Sequence, residues 1–113
     1  MKKGDYIAFC QTLADTVIDQ PFARERSKMV SATYIARHGK NRKWFAAIME
    51  REGKPFVNLK CDPTRADVLR SAFAGIRPAY HMNKDHWISV YLQSDVPDEL
   101  IYQLTRDSHR LTA

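Results

Sequence analysis

The stretch FVNLKCDPTRADVLRSAFAG, residues 56–75, changes its hydrophobic period in the middle. From 56 to 60 the period is two: Val57 and Leu59 share one side of a strand, and Phe56, Asn58 and Lys60 share the other. Asp62-Pro63 then supplies a carboxylate that can accept from the free amides of a first helical turn. The proline that follows lacks an N–H where none is needed. Ala66, Leu69 and Phe73 recur on one side of that helix, and Gly75 stands where a C-terminal cap belongs. A strand running directly into a capped helix anchors the fold.

Upstream, Asp5 can cap a helix whose apolar positions are Tyr6, Cys10, Leu13 and Val17, with Asp19-Gln20-Pro21 ending it. Residues 28–36 and 43–50 are rich in strand formers and flank RHGKNR, which reads as a hairpin with a basic tip. Gly53-Lys54-Pro55 separates this hairpin from the strand at 56–60. Downstream, IRPAYH and HWISVYL form a second hairpin around MNKD, with Ile88, Val90 and Leu92 on one face and Trp87, Ser89 and Tyr91 on the other. Pro97-Asp98-Glu99 opens a last helix carrying Leu100, Ile101, Leu104 and Leu111.

The order is αβββαββα over a single domain, residues 1–113. The predicted architecture is α+β and two-layered, a five-stranded antiparallel sheet covered on one face by helices. Its other face is expected to be partly open, with Trp87, Tyr91, Phe56 and Lys60 as candidates to lie there.

Composition agrees with a folded domain: 44% of the residues are hydrophobic and 27% charged, with only 4 Gly and 5 Pro. No apolar run is long enough to span a bilayer, and MKKG leads straight into an amphipathic segment, so a cytoplasmic location is expected. Cys10 and Cys61 match neither a CxxC motif nor a disulfide framework and are expected as reduced thiols. The net charge of +5 is unevenly placed. Between Arg26 and Met49 there is no acidic residue but six basic ones: Arg26, Lys28, Arg37, Lys40, Arg42 and Lys43. Of 18 basic residues these six carry the whole excess, because the other 12 stand against 13 acidic ones. Such asymmetry points to a polyanionic partner.

Enzymatic chemistry finds little support in the motifs. His81 and His86 could approach each other across the MNKD tip, but two imidazoles fall short of a zinc ligand set, so no metal and no cofactor are expected. Cys61 continues the Val57/Leu59 side of its strand and Cys10 lies on the apolar side of the first helix; both read as small core residues. Asp98 and Glu99 are explained by the helix start they occupy. No phosphate-binding Gly-rich loop or GxSxG is present.

The motifs VNLKCDP, LR followed by GIRPAYHMNKDHW, then VYL and VPDELI, spread over about half the chain, resemble the YjbR/MmcQ family. The resemblance implies a small α+β domain similar to the type III secretion chaperone fold, with a CyaY-like relationship. It also implies a double-wing DNA-binding function. Departures from the family pattern are Ala79 where Gly is common, Gln93-Ser94-Asp95 in place of an Asp-Gly turn, and Ser108-His109 in place of Ser-Tyr.

Together these readings give a non-enzymatic DNA-binding domain that grips the phosphate backbone through two basic hairpin wings. The first wing offers Arg37, Lys40, Arg42 and Lys43 to phosphates, with His38 and Asn41 as further hydrogen-bonding groups. The second adds Arg77, Lys84 and His86, with Trp87 packing or stacking, while His81 and Asn83 shape the turn. Backbone contacts of this kind carry little sequence specificity. The alternative is a protein-interaction or dimerisation module using the open sheet face, with Trp87 and Tyr91 as anchors.

Overall fold

The computed structural model describes all residues, 1–113. Helix α1 (Lys3–Gln11) is followed by strand β1 (Thr16–Asp19), a single helical turn α2 (Lys28–Ser31), and strands β2 (Tyr34–His38), β3 (Trp44–Arg51) and β4 (Lys54–Lys60). Then come α3 (Pro63–Ala72), β5 (Ile76–Pro78), β6 (Trp87–Tyr91) and α4 (Asp98–Leu111). The strands form one antiparallel sheet in the order β1-β2-β3-β4-β6-β5. The α+β class is as the sequence predicts.

The sheet has six strands rather than five. The first helix stops at Gln11, and Thr16-Val17-Ile18 leaves it to pair with Ala36–His38 at the sheet edge. Three successive β-branched side chains lose rotamer freedom in a helix and fit a pleated strand, so local stiffness outweighs the helical spacing of Val17. Residues 28–31 are likewise helical, with the Ser27 hydroxyl accepting from Val30 N, and the strand begins only at Tyr34.

The strand-to-helix junction forms as its residues dictate. The Asp62 carboxylate accepts from Thr64 N and Arg65 N at 3.0 and 3.4 Å, and Pro63 occupies the first turn. Gly75 is not the helix cap, since α3 ends at Phe73 in extended conformation. Its lack of a side chain answers a packing need: a Cβ there would lie 2.0 Å from Ser94 Oγ.

Register sorts the side chains onto two faces. Ala46, Ile48, Val57, Leu59, Ile88 and Val90 face the helices, where they pack with Tyr6, Cys10, Ala66, Leu69, Ile101 and Leu104. Burying each of these larger apolar side chains contributes roughly 1.5–3 kcal/mol. α4 is stitched to this face by polar contacts: Ser108 Oγ donates to Phe45 O and accepts from Lys60 N, and Thr105 Oγ1 meets Tyr6 Oη at 2.8 Å.

The second face is only partly open. Ile35, Ala47, Met49, Phe56, Asn58 and Ser89 share it by register, and all are buried. Two elements cover it: α2 packs against β3, and the β5–β6 connection lies over β4 and β6. This connection is longer than the MNKD tip, running from Ala79 to His86, and it folds back over the sheet. Asn58 Nδ2 donates to Tyr80 O at 2.8 Å, Tyr80 N donates to Ser89 Oγ at 3.0 Å, and Ser89 Oγ donates to Asn58 Oδ1. Each polar group in this buried triangle finds a partner, which fixes the loop in place. The Tyr80 ring meets Phe56 edge-on with centroids 6.1 Å apart. Trp87, Tyr91 and Lys60 are therefore half-buried, and Phe56 is fully so.

Candidate nucleic-acid interface

The β2–β3 turn is a rigid platform. Arg42 N donates to His38 O and His38 N to Lys43 O, closing the turn with Arg42 at φ 64°. Two outside elements clamp it. Gly39 N donates to Asp15 O at 2.8 Å and Lys40 N to the Asp15 carboxylate at 3.0 Å, with no room for a Cβ on Gly39. From the end of α4, Thr112 O accepts from Asn41 Nδ2 at 3.1 Å. Backbone and Asn41 thus spend their hydrogen-bonding capacity inside the fold. Lys40, Arg42 and Lys43 are left exposed, none of them in an ion pair.

Strand pairing brings a second loop to the same end of the sheet. Ala46 pairs with Leu59 and Lys60 pairs with Trp87, so the β2–β3 turn, the C-terminal end of β4 and the start of β6 all lie at one end. The loop before Trp87 is shaped by Asn83, whose side-chain oxygen accepts from Asp85 N and His86 N while its carbonyl accepts from Trp87 N. His81 takes φ 59° and packs against the Tyr80 ring at 4.0 Å. Lys84 and His86 are exposed. With strands roughly 4.8 Å apart, the axes of the two hairpins are about 14 Å apart, and β4 lies between them. Lys60, at the end of β4, bridges that gap; the sequence places it on a strand face but gives no sign that it sits between the tips.

Four of the candidate contacts are occupied elsewhere. Arg37 donates to the Asp19 carboxylate at 2.9 Å across the β1–β2 pair, and its side chain is only 13% exposed. His38 is buried on the helix side, its Nε2 2.9 Å from Thr112 Oγ1 and its ring packed against Phe45 and His109, which also touch each other. Burial and the neighbouring His109 hold its pKa below the ordinary 6.5, so it is neutral at pH 7. Asn41 braces the turn as described. Arg77 is exposed but belongs to the other end of the molecule, where its guanidinium lies over the Tyr91 ring at 5.1 Å. The convergent set is therefore Lys40, Arg42, Lys43, Lys60, Lys84 and His86, with the half-buried Trp87 beside them.

Cys10 and Cys61 are buried free thiols, and burial pushes Cys10 up to about 12 and Cys61 above its ordinary value. Neither is poised as a nucleophile at neutral pH. No three His, Cys, Asp or Glu side chains gather as a metal-binding group, and no helix is long and apolar enough to cross a membrane.

These features define an α+β protein built on one antiparallel sheet, with two loops carrying cations to the same sheet end. Solved structures share this architecture throughout. A Pseudomonas syringae protein superposes with a TM-score of 0.85 at 32% identity, covering 100% of both chains. A Deinococcus radiodurans protein with a DUF419 domain gives 0.80 at 32% identity over 96% of this chain and 75% of its own. The YjbR family profile matches residues 13–111, and the chain belongs to the YjbR family. Among its relatives are the uncharacterised YjbR of Escherichia coli K12, 42% identical over 66 residues, and the uncharacterised YyaQ of Bacillus subtilis, 41% identical over 86. The first match covers 58% of this chain and 56% of the relative; the second covers 67% and 72%. This chain thus aligns with little more than half the length of the Escherichia coli relative.

Proposed function

We propose that this chain is a DNA-binding module, without catalytic activity of its own, that holds the phosphate backbone at the end of the sheet that carries both loops. The observation that carries the reading is the position of Lys40, Arg42, Lys43 and Lys84 on two braced loops, with Lys60 between them and no carboxylate within 4.0 Å of any of their charged groups. Lysine and arginine held without internal partners release counterions when they meet phosphates, which is the main source of sequence-independent affinity. The separation of about 14 Å between hairpin axes is on the order of the roughly 12 Å width of the major groove, so each loop can reach a different phosphate strand.

No element offers a recognition helix for base edges. α3 begins with an acidic cap, and its Arg65 is paired with Asp107. Binding is therefore backbone-directed and salt-sensitive. An electrophoretic shift with random duplex and single-stranded DNA at two salt concentrations tests this. Retention that weakens with salt supports the reading, and no retention at low salt contradicts it.

The alternative, an interaction or dimerisation module on the second sheet face, has less surface to use because the β5–β6 loop lies over part of that face; Trp87 and Tyr91 stay half-exposed there, and salt-insensitive self-association lost in Trp87→Ala would favour it.

A further inference from the structure

At the opposite end of β4 from the two loops, about 20 Å away along the strand, the surface sinks into a cleft of about 590 Å³. Its walls are the β3–β4 turn, the Ala74-Gly75 segment and the residues that follow β6. Three cations line it: Arg51, Lys54 and Arg77. None of the three is in an ion pair.

The two guanidinium groups are positioned by aromatic faces. Arg51 lies over the Tyr80 ring at 4.9 Å and Arg77 over the Tyr91 ring at 5.1 Å, and Arg77 Nε also donates to Ala74 O at 3.3 Å. A ring under a guanidinium restrains the plane while leaving its N–H edges free, which lowers the ordering cost of meeting an oxyanion. Both rings pack on Phe56, Tyr80 edge-on at 6.1 Å and Tyr91 tilted at 5.1 Å, and the Asn58–Ser89 triangle holds the Tyr80 backbone. Of the two acids in the cleft, Asp95 is already engaged: its carboxylate accepts from Ala74 N and Gly75 N, both at 2.8 Å. Asp95 keeps its negative charge while accepting these bonds, but neither it nor Glu52 lies within 4.0 Å of the charged groups of the three cations.

We propose that this cleft binds the phosphate group of a small phosphate monoester of mononucleotide size, with Arg51 and Arg77 donating to the phosphoryl oxygens and Lys54 supplying the third charge. The volume falls within the roughly 300–1,000 Å³ typical of small-ligand sites, and planar guanidinium donors match phosphoryl oxygens in pairs. The site is separate from the DNA-binding reading, because it shares no residue with the two loops.

The test is an amide and arginine side-chain NMR titration of the whole chain with AMP, inorganic phosphate and adenosine. AMP and inorganic phosphate are expected to shift residues 51–54, 74–77 and 91–95, whereas adenosine leaves them in place. Arg51→Met and Arg77→Met keep a flexible apolar stem over each ring, and each is expected to weaken AMP binding about tenfold. A variant lacking Lys40, Arg42 and Lys43 is expected to bind AMP as before. The proposal is overturned if adenosine acts like AMP, if the shifts fall outside the cleft, or if both methionine variants bind AMP unchanged.

Discussion

Removing the first loop's charges should change the salt dependence of DNA binding by an amount fixed by charge counting. The variant is Lys40→Ala, Arg42→Gly and Lys43→Ala. Lys40 and Lys43 are exposed and without ion partners, so their loss costs the fold little. Arg42 sits at φ 64°, a conformation glycine adopts without steric cost, so Gly removes its charge without adding strain. With five cations engaged, counterion release gives a slope of log K against log salt of about −4.5, or roughly a 500-fold loss of affinity between about 50 and 200 mM. Leaving only Lys60 and Lys84 should reduce the slope to about −1.8 and the loss to roughly 12-fold. Fluorescence anisotropy with a labelled random duplex over that salt range measures both slopes, and a melting curve checks that the fold is intact. A variant that melts normally yet keeps the parental slope would refute the assignment of this loop.

Three further outcomes follow from the same geometry. Arg37→Ala should lower stability by about 1–2 kcal/mol, since it strips a charged partner from the half-exposed Asp19, and leave the salt slope unchanged; a changed slope with intact melting would return Arg37 to the interface. Asn58→Ala leaves Ser89 Oγ and Tyr80 O without their buried partner, which should cost about 2–3 kcal/mol and raise hydrogen exchange across 79–86; exchange that stays at the parental level would mean the triangle does not hold the loop. His38 has a folded pKa below its unfolded value of about 6.5, so the unfolded chain binds more protons in between and stability falls as pH drops from about 6.5 through the lowered value. Thermal melts between about pH 7 and pH 5 should show this decline, and His38→Gln should flatten it; equal slopes in parent and variant would assign the decline to other groups.

What the sequence could and could not reveal divides along local and non-local information. The β4–α3 junction, β6 and α4 are legible because each depends on its own period and cap: Val57 and Leu59, Asp62-Pro63, Ile88 and Val90, and Pro97-Asp98-Glu99. Strand β1 was hidden because Val17 satisfies a helical spacing, although its β-branched neighbours Thr16 and Ile18 carried the contrary signal. The fates of Arg37 and His38 depend on Asp19 and on Thr112, partners 18 and 74 residues away. Neither contact has a local signature. The covered second face is similar: Asn58 on a strand reads as solvent-facing until the Tyr80 backbone is known to reach it. Charge clustering singled out the first loop as a region, but not which of its six polar side chains remain free.

The most direct test of the central claim is an amide NMR titration of the chain with random-sequence duplex DNA at low salt. Perturbations are expected to concentrate at residues 40–43, at Lys60 and across 84–87, fading together as salt is raised. Perturbations centred on α3, or an unchanged spectrum at saturating DNA, would contradict it.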